Sequence, residues 1–155
     1  MKIMVINGPN INMLGVREPE IYGNKGYSDL EEYIEKYAEK YAEEKGAEAV
    51  VLQSNGEGEI IDFIHHALGT CDAIVINPGA YTHYSYAIYD ALEAVKLPTV
   101  EVHISNIHKR DEFRHRSVTA PACIGQICGL GFMGYTLAME YLIKNASAED
   151  EEENE

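Results

Sequence analysis

His103 follows Glu101 by two residues in the run Glu101-Val102-His103-Ile104-Ser105-Asn106. Alternation along a β-strand sends both side chains to one face, which sets a carboxylate beside an imidazole. Such a carboxylate orients the ring and holds its proton, as a general acid near neutral pH requires. Taken alone, a histidine in this setting serves structure as readily as catalysis. Two further apolar runs end in polar clusters, Asn7-Gly8-Pro9-Asn10 after Ile3-Met4-Val5-Ile6, and Asn77-Pro78-Gly79-Ala80-Tyr81-Thr82-His83 after Ala73-Ile74-Val75-Ile76. Three strands thus deliver polar residues to one rim. In an open parallel α/β sheet, ligands bind beyond the carboxyl ends of the strands, where strand order reverses, so this convergence predicts an active site.

A base is available in Arg17-Glu18-Pro19-Glu20-Ile21-Tyr22. With a free pKa of about 10, only about one tyrosine in a thousand is phenolate at pH 7, and bringing the pKa to about 7 takes roughly 4 kcal/mol. A guanidinium such as that of Arg17 can supply much of this for Tyr22, the more so where a closed loop excludes water. A lone loop tyrosine otherwise serves packing.

Other chemistries are weaker. Gly129-Leu130-Gly131-Phe132-Met133-Gly134 matches the dinucleotide fingerprint, but no second strand with an acidic residue follows about twenty positions on. These glycines fit close packing of the last helix on the sheet. His65-His66 lacks further ligand types at metal spacing, and Cys71, Cys123 and Cys128 read as reduced, core-type thiols, so no metal is expected. The segment 108–116 carries four of the twelve basic residues. Its two interspersed acids favour a single Arg aimed at a small anion or at hydroxyls over polyanion binding, although a solvated surface Arg fits the composition equally.

The elements that must hold these residues alternate. Residues 2–7, 48–53, 72–77, 98–104 and about 119–128 look extended, and a helical pattern follows each, which predicts a parallel sheet covered on both faces. The first helix has Ser28 and Glu31 as a capping box, a stripe of Leu30, Tyr33, Ile34, Tyr37, Ala38, Tyr41 and Ala42, and Gly46 past its end, so its tyrosines read as core. Further helices are expected at about 57–68, 85–96 and 132–144. The first connection, about twenty residues from Gly8 to Tyr27, far exceeds the usual two to six and is a candidate lid.

The 155 residues suit one domain, and 46% apolar with 25% charged residues is a globular composition. Six acids in the last seven residues account for much of the net charge of -14, which falls to -8 without them. Residues 146–155 therefore read as an acidic, disordered tail to a single domain at 1–145. An anionic body argues against nucleic acid as partner. No signal-like succession opens the chain and no apolar run approaches 18 residues, so a soluble, cytoplasmic protein without membrane contact is expected.

The motif Asn-Gly-Pro-Asn-x-Asn-x-Leu-Gly-x-Arg-Glu-Pro-x-x-Tyr-Gly at 7–23, then Gln53-Ser54-Asn55, residues 77–83 and residues 101–106, closely resembles the type II 3-dehydroquinate dehydratases. The resemblance covers roughly residues 1–145. Val16 and Gly56 stand where many relatives carry more polar residues. The resemblance implies a flavodoxin-like fold with a five-stranded parallel sheet, a homododecamer built as four trimers, and cofactor-free dehydration of 3-dehydroquinate to 3-dehydroshikimate. It also implies roles: Tyr22 as the base at C2, Arg17 lowering its pKa, Asn10 positioning a water that stabilises the enolate, and His103 protonating the departing C1 hydroxyl. Glu101 would orient His103. Asn77, His83, Ile104, Ser105 and Arg114 would bind substrate, with Asp90 reaching in from a neighbouring subunit.

The chemistry agrees with that assignment. A proton beside a ketone can leave stepwise, giving an enolate that needs donors, while hydroxide needs an acid. A Schiff-base route would need a desolvated lysine, and none of the eight lysines stands at an expected strand end on the rim. The rival reading is a flavodoxin-like binding module, but the first loop lacks the Ser/Thr/Gly run that cradles phosphate. Biosynthetic and quinate-degrading roles remain alternatives.

Overall fold

The computed structural model describes residues 1–16, 19–22 and 24–152, with side chains at 1–16, 19–21, 24–41 and 46–145. Five parallel strands, β1 (Lys2–Asn7), β2 (Glu48–Gln53), β3 (Ala73–Asn77), β4 (Thr99–His103) and β5 (Gly125–Cys128), pair in the order β2-β1-β3-β4-β5. This is the flavodoxin-like order, whose switch point lies between β1 and β3. The helices are α1 (Pro19–Tyr22), α2 (Tyr27–Lys45), α3 (Glu57–Ala67), α4 (Tyr86–Val95) and α5 (Met133–Glu152).

Period two divides the strand residues between two cores. Ile3, Val5, Ala73, Val75, Val100 and Val102 pack under Leu30 and Ile34 of α2 and Ala138, Met139 and Leu142 of α5. Met4, Ile6, Ile74 and Ile76 pack under Ile60 and Ile64 of α3 and Ile88 and Leu92 of α4. Strands buried on both faces read as unbroken apolar runs, which is why β1 and β3 end so sharply at Asn7 and Asn77.

At the switch point the two loops meet backbone to backbone. The Gly8 N–H donates to the Asn77 carbonyl at 2.7 Å. A Cβ on Gly8 would stand 2.4 Å from the Pro78 carbonyl oxygen, and Gly79, at φ +58°, would place one 3.0 Å from the Pro9 oxygen. Only glycine allows that approach.

Five expectations change. The fifth strand is four residues long and not ten, because 120–122 coil into a 3-10 turn before it. The first helix begins at Tyr27, ahead of the proposed Ser28–Glu31 box, and it is the Asp29 carboxylate that accepts the Gly26 N–H, at 2.7 Å. Tyr33, Tyr37 and Tyr41 are half-buried at the core's margin. The long first connection contains a 3-10 turn at Ile11–Met13 and the single turn α1. The last helix, expected to end near 144, runs to Glu152.

Candidate active site

A concave pocket opens at the carboxyl ends of β1, β3 and β4. Its lining includes Asn10, Asn77, His83, His103, Ile104, Ser105 and Arg114, with Pro9, Ile11, Gly79, Ala80, Ile107 and Arg110 filling the wall. Glu101 stands directly behind it. Its carboxylate is fully buried, with Oε2 3.0 Å from His103 Nε2.

Burial alone would push the Glu101 pKa up, but the donors gathered on it reverse that. Oε2 also accepts from Ser117 Oγ at 2.8 Å and Gln126 Nε2 at 2.6 Å. Oε1 accepts from Thr82 Oγ1 at 3.2 Å and from Thr119 Oγ1. With His103 this leaves the carboxyl below its ordinary value, hence ionised at neutral pH. A carboxylate can only accept, so Nε2 of His103 carries the hydrogen of that bond, and Nδ1 remains to exchange a proton.

His83 has the reverse assignment. Its Nδ1 lies 2.8 Å from the Arg116 carbonyl and must donate to it, which leaves Nε2 of the neutral ring as an acceptor. Burial, the largest influence, holds its pKa below the ordinary histidine value, and the nearby Arg114 guanidinium adds to that. The ring meets Phe113 edge-on, and the Arg114 guanidinium lies over that same Phe113 ring, 4.6 Å from its centroid. Arg114 approaches Asp111 only to 3.7 Å, and its Nε is buried without a hydrogen-bond partner among the described residues. A buried donor in a pocket wall without a hydrogen-bond partner among the described residues is one that a ligand oxygen can satisfy.

Asn10 adopts the left-handed conformation at φ 68°. Its N–H donates to Asn55 Oδ1 at 3.0 Å, and Gln53 Nε2 holds both Asn55 Oδ1, at 3.0 Å, and the Gly8 carbonyl, at 3.2 Å. The Gln53-Ser54-Asn55 segment thus pins the first loop from the end of β2. Asn77 is held by the Gly79 N–H and by Tyr135.

Of the residues expected at the site, Asn10, Asn77, His83, His103, Ile104, Ser105 and Arg114 share the pocket, and Glu101 supports it from behind. Asp90 is exposed on α4 and outside its own chain's pocket lining. Arg17 and the Tyr22 side chain lie outside the described residues. The reading of single residues missed Arg110, although it stands in the basic segment already singled out, and it missed the hydroxyls and Gln126 that hold Glu101. Gln126 is the register partner of Glu101, a pairing visible only once β4 and β5 are neighbours. The glycine fingerprint has a packing role: the Gly129 and Gly131 N–H groups bind the His103 and Ile104 carbonyls at 3.1 Å, and a Cβ on Gly134 would press on Val102 at 3.2 Å.

A flavodoxin-like sheet that holds a histidine–carboxylate pair at a pocket on its switch-point rim is the frame of an α/β enzyme. The family described as Dehydroquinase class II matches residues 1–143. The 3-dehydroquinate dehydratase of Clostridium perfringens is 62% identical over 146 residues, which cover 94% of this chain and 97% of that protein. The type II dehydroquinase of Butyrivibrio crossotus superposes with a TM-score of 0.85 at 55% identity, over 92% of this chain and 97% of that one. That of Propionibacterium acnes gives 0.85 at 43% identity, over 92% and 96%. The chain therefore belongs to the class II dehydroquinase family and is a lyase of the type II 3-dehydroquinate dehydratase kind.

Proposed function

We propose that this chain dehydrates 3-dehydroquinate to 3-dehydroshikimate by a stepwise anti elimination, in the shikimate pathway leading to chorismate and the aromatic amino acids. Tyr22, with its phenol lowered by Arg17, removes the C2 proton. Asn10 positions a water on the enolate oxygen. His103, protonated and backed by Glu101, delivers its Nδ1 proton to the C1 hydroxyl as the C1–O bond breaks, so hydroxide leaves as water. His83 accepts a hydrogen bond from a substrate hydroxyl, Arg114 binds an oxygen of the substrate, and Asn77, Ile104 and Ser105 complete the cradle. The observation that carries the reading is the Glu101–His103 pair, walled into a switch-point pocket in a chain of this family.

The catalytic unit is the domain at 1–145, with 146–155 as an acidic tail, in a cytoplasmic enzyme. Among the described residues no helix is long and apolar enough to cross a membrane. The chain works as a homododecamer, a tetramer of trimers, in which Asp90 serves a neighbour's pocket. Ile124, Leu137 and Tyr141, exposed beside the edge strand β5, supply apolar surface for such contacts.

The test is ultraviolet absorbance on mixing 3-dehydroquinate with protein treated with chelator, and with protein incubated with 3-dehydroquinate and borohydride together and then freed of both, since the conjugated enone product absorbs and the substrate hardly does. A rise that survives both treatments is expected. No rise in the untreated protein overturns the reading, and a rise lost on borohydride treatment replaces it with a Schiff-base route.

A further inference from the structure

Tyr135 is fully buried on α5, yet its hydroxyl reaches the sheet at the switch point. It donates to Asn7 Oδ1 at 2.7 Å and accepts from Asn77 Nδ2 at 2.8 Å. Asn7 and Asn77 are register partners at the last positions of β1 and β3. Both asparagines occupy the face that carries Val5 and Val75, so a residue of α5 can span the pair. Gly134, immediately before Tyr135, lets α5 approach Val102 so closely that a Cβ there would stand 3.2 Å from the valine methyl.

The consequence falls on Asn77, which lines the pocket. Its Oδ1 accepts the Gly79 N–H at 3.2 Å, and one Nδ2 hydrogen goes to Tyr135. The other Nδ2 hydrogen has no partner among the described residues and is what the amide has left to offer. Rotating the amide by half a turn would set Nδ2 against the Gly79 N–H, donor against donor. It would also force the single Tyr135 proton to choose between Asn7 and Asn77. Burial pushes the Tyr135 phenol far above its ordinary value, so it keeps the proton it gives to Asn7.

We propose that Tyr135 is a positioning residue that, with Asn7 behind it, locks the Asn77 amide with an N–H toward the pocket, so that this wall reads a hydrogen-bond acceptor on the substrate. The inference deepens the proposed dehydration, because it rests on Asn77 touching the substrate.

A double-mutant cycle tests it. Tyr135→Phe should lower kcat/KM about tenfold in the otherwise unchanged enzyme and less than twofold in an Asn77→Ala background. Asn7→Leu, which removes the acceptor without touching Tyr135 or the pocket wall, should act in the same direction and lose its effect in the same background. Equal losses in both backgrounds would make Tyr135 a general support of the fold and overturn the proposal, as would full activity of Tyr135→Phe. The second readout needs no turnover: hydrogen exchange of the Asn77 side-chain amide, followed by nuclear magnetic resonance, should be slow in the parent chain and at least tenfold faster in Tyr135→Phe. Unchanged exchange overturns the locking. Faster exchange in a chain that does not dehydrate 3-dehydroquinate would uphold the locking while the reaction assigned above fails.

Discussion

Nε2 of His103 lies 3.0 Å from Oε2 of Glu101, and that same oxygen takes two further donors, from Ser117 and Gln126. The carboxylate is therefore an anion held first by the imidazole and then by neutral donors, which together outweigh the effect of its burial.

Glu101→Gln should reduce kcat about a hundredfold or more, because an amide can present an N–H to Nε2 and reverse the direction of that bond. The same variant has a stability signature. The folded Glu101 pKa is below its ordinary value of 4.5, so the carboxylate stabilises the fold fully above that pH and loses its contribution as pH falls through the lower folded value. Urea unfolding of parent and variant at pH 7 and below pH 4.5 should show a stability difference that shrinks in acid. A difference independent of pH would mean that Glu101 is not bound as an anion.

Arg114→Lys should raise KM at least about tenfold with a smaller change in kcat. Lysine carries the charge but lacks the planar donor at Nε, the buried atom without a hydrogen-bond partner among the described residues. Steady-state kinetics with 3-dehydroquinate decides it: a wild-type KM would place the substrate anion elsewhere.

Tyr22→Phe should abolish turnover and leave substrate binding largely intact, since only the ionisable oxygen is removed. Titration calorimetry with 3-dehydroquinate alongside the absorbance assay separates the two. Near-normal turnover would remove Tyr22 from the role of base.

Gly8→Ala should destabilise the fold by about 2 kcal/mol, because its Cβ would stand 2.4 Å from backbone oxygen at Pro78, where no side chain can yield. For a chain of this size that is a fall in Tm of roughly 4–8 °C. Calorimetry checks it, and an unchanged Tm would mean that the two switch-point loops separate easily.

Much of this was legible in the residues, for local reasons. The apolar runs of β1 and β3 end at Asn7 and Asn77 because strands buried on both faces tolerate no polar interruption. The side-by-side placement of Glu101 and His103 follows from a period of two, which needs no knowledge of the rest of the chain. The start of α2 at Tyr27 is not legible locally, since Ser28 and Asp29 both suit a helix entrance and only the observed bond to Gly26 distinguishes them. The fifth strand is shorter than its pattern suggests because 119–128 is mostly apolar or small throughout, although part of it coils.

The chain's sequence by itself determined the alternation of strands and helices, the polar rim and, through long ordered motifs, the family resemblance. Only the tertiary structure decided what surrounds each rim residue. The Tyr135–Asn7 bond joins residues 128 positions apart, and Gln126 meets Glu101 across 25. Such contacts depend on strand order, register and the depth at which α5 packs, quantities set by the whole core at once. A residue's type and spacing report its local periodicity, but the partner that fixes its proton or its amide is chosen by global packing.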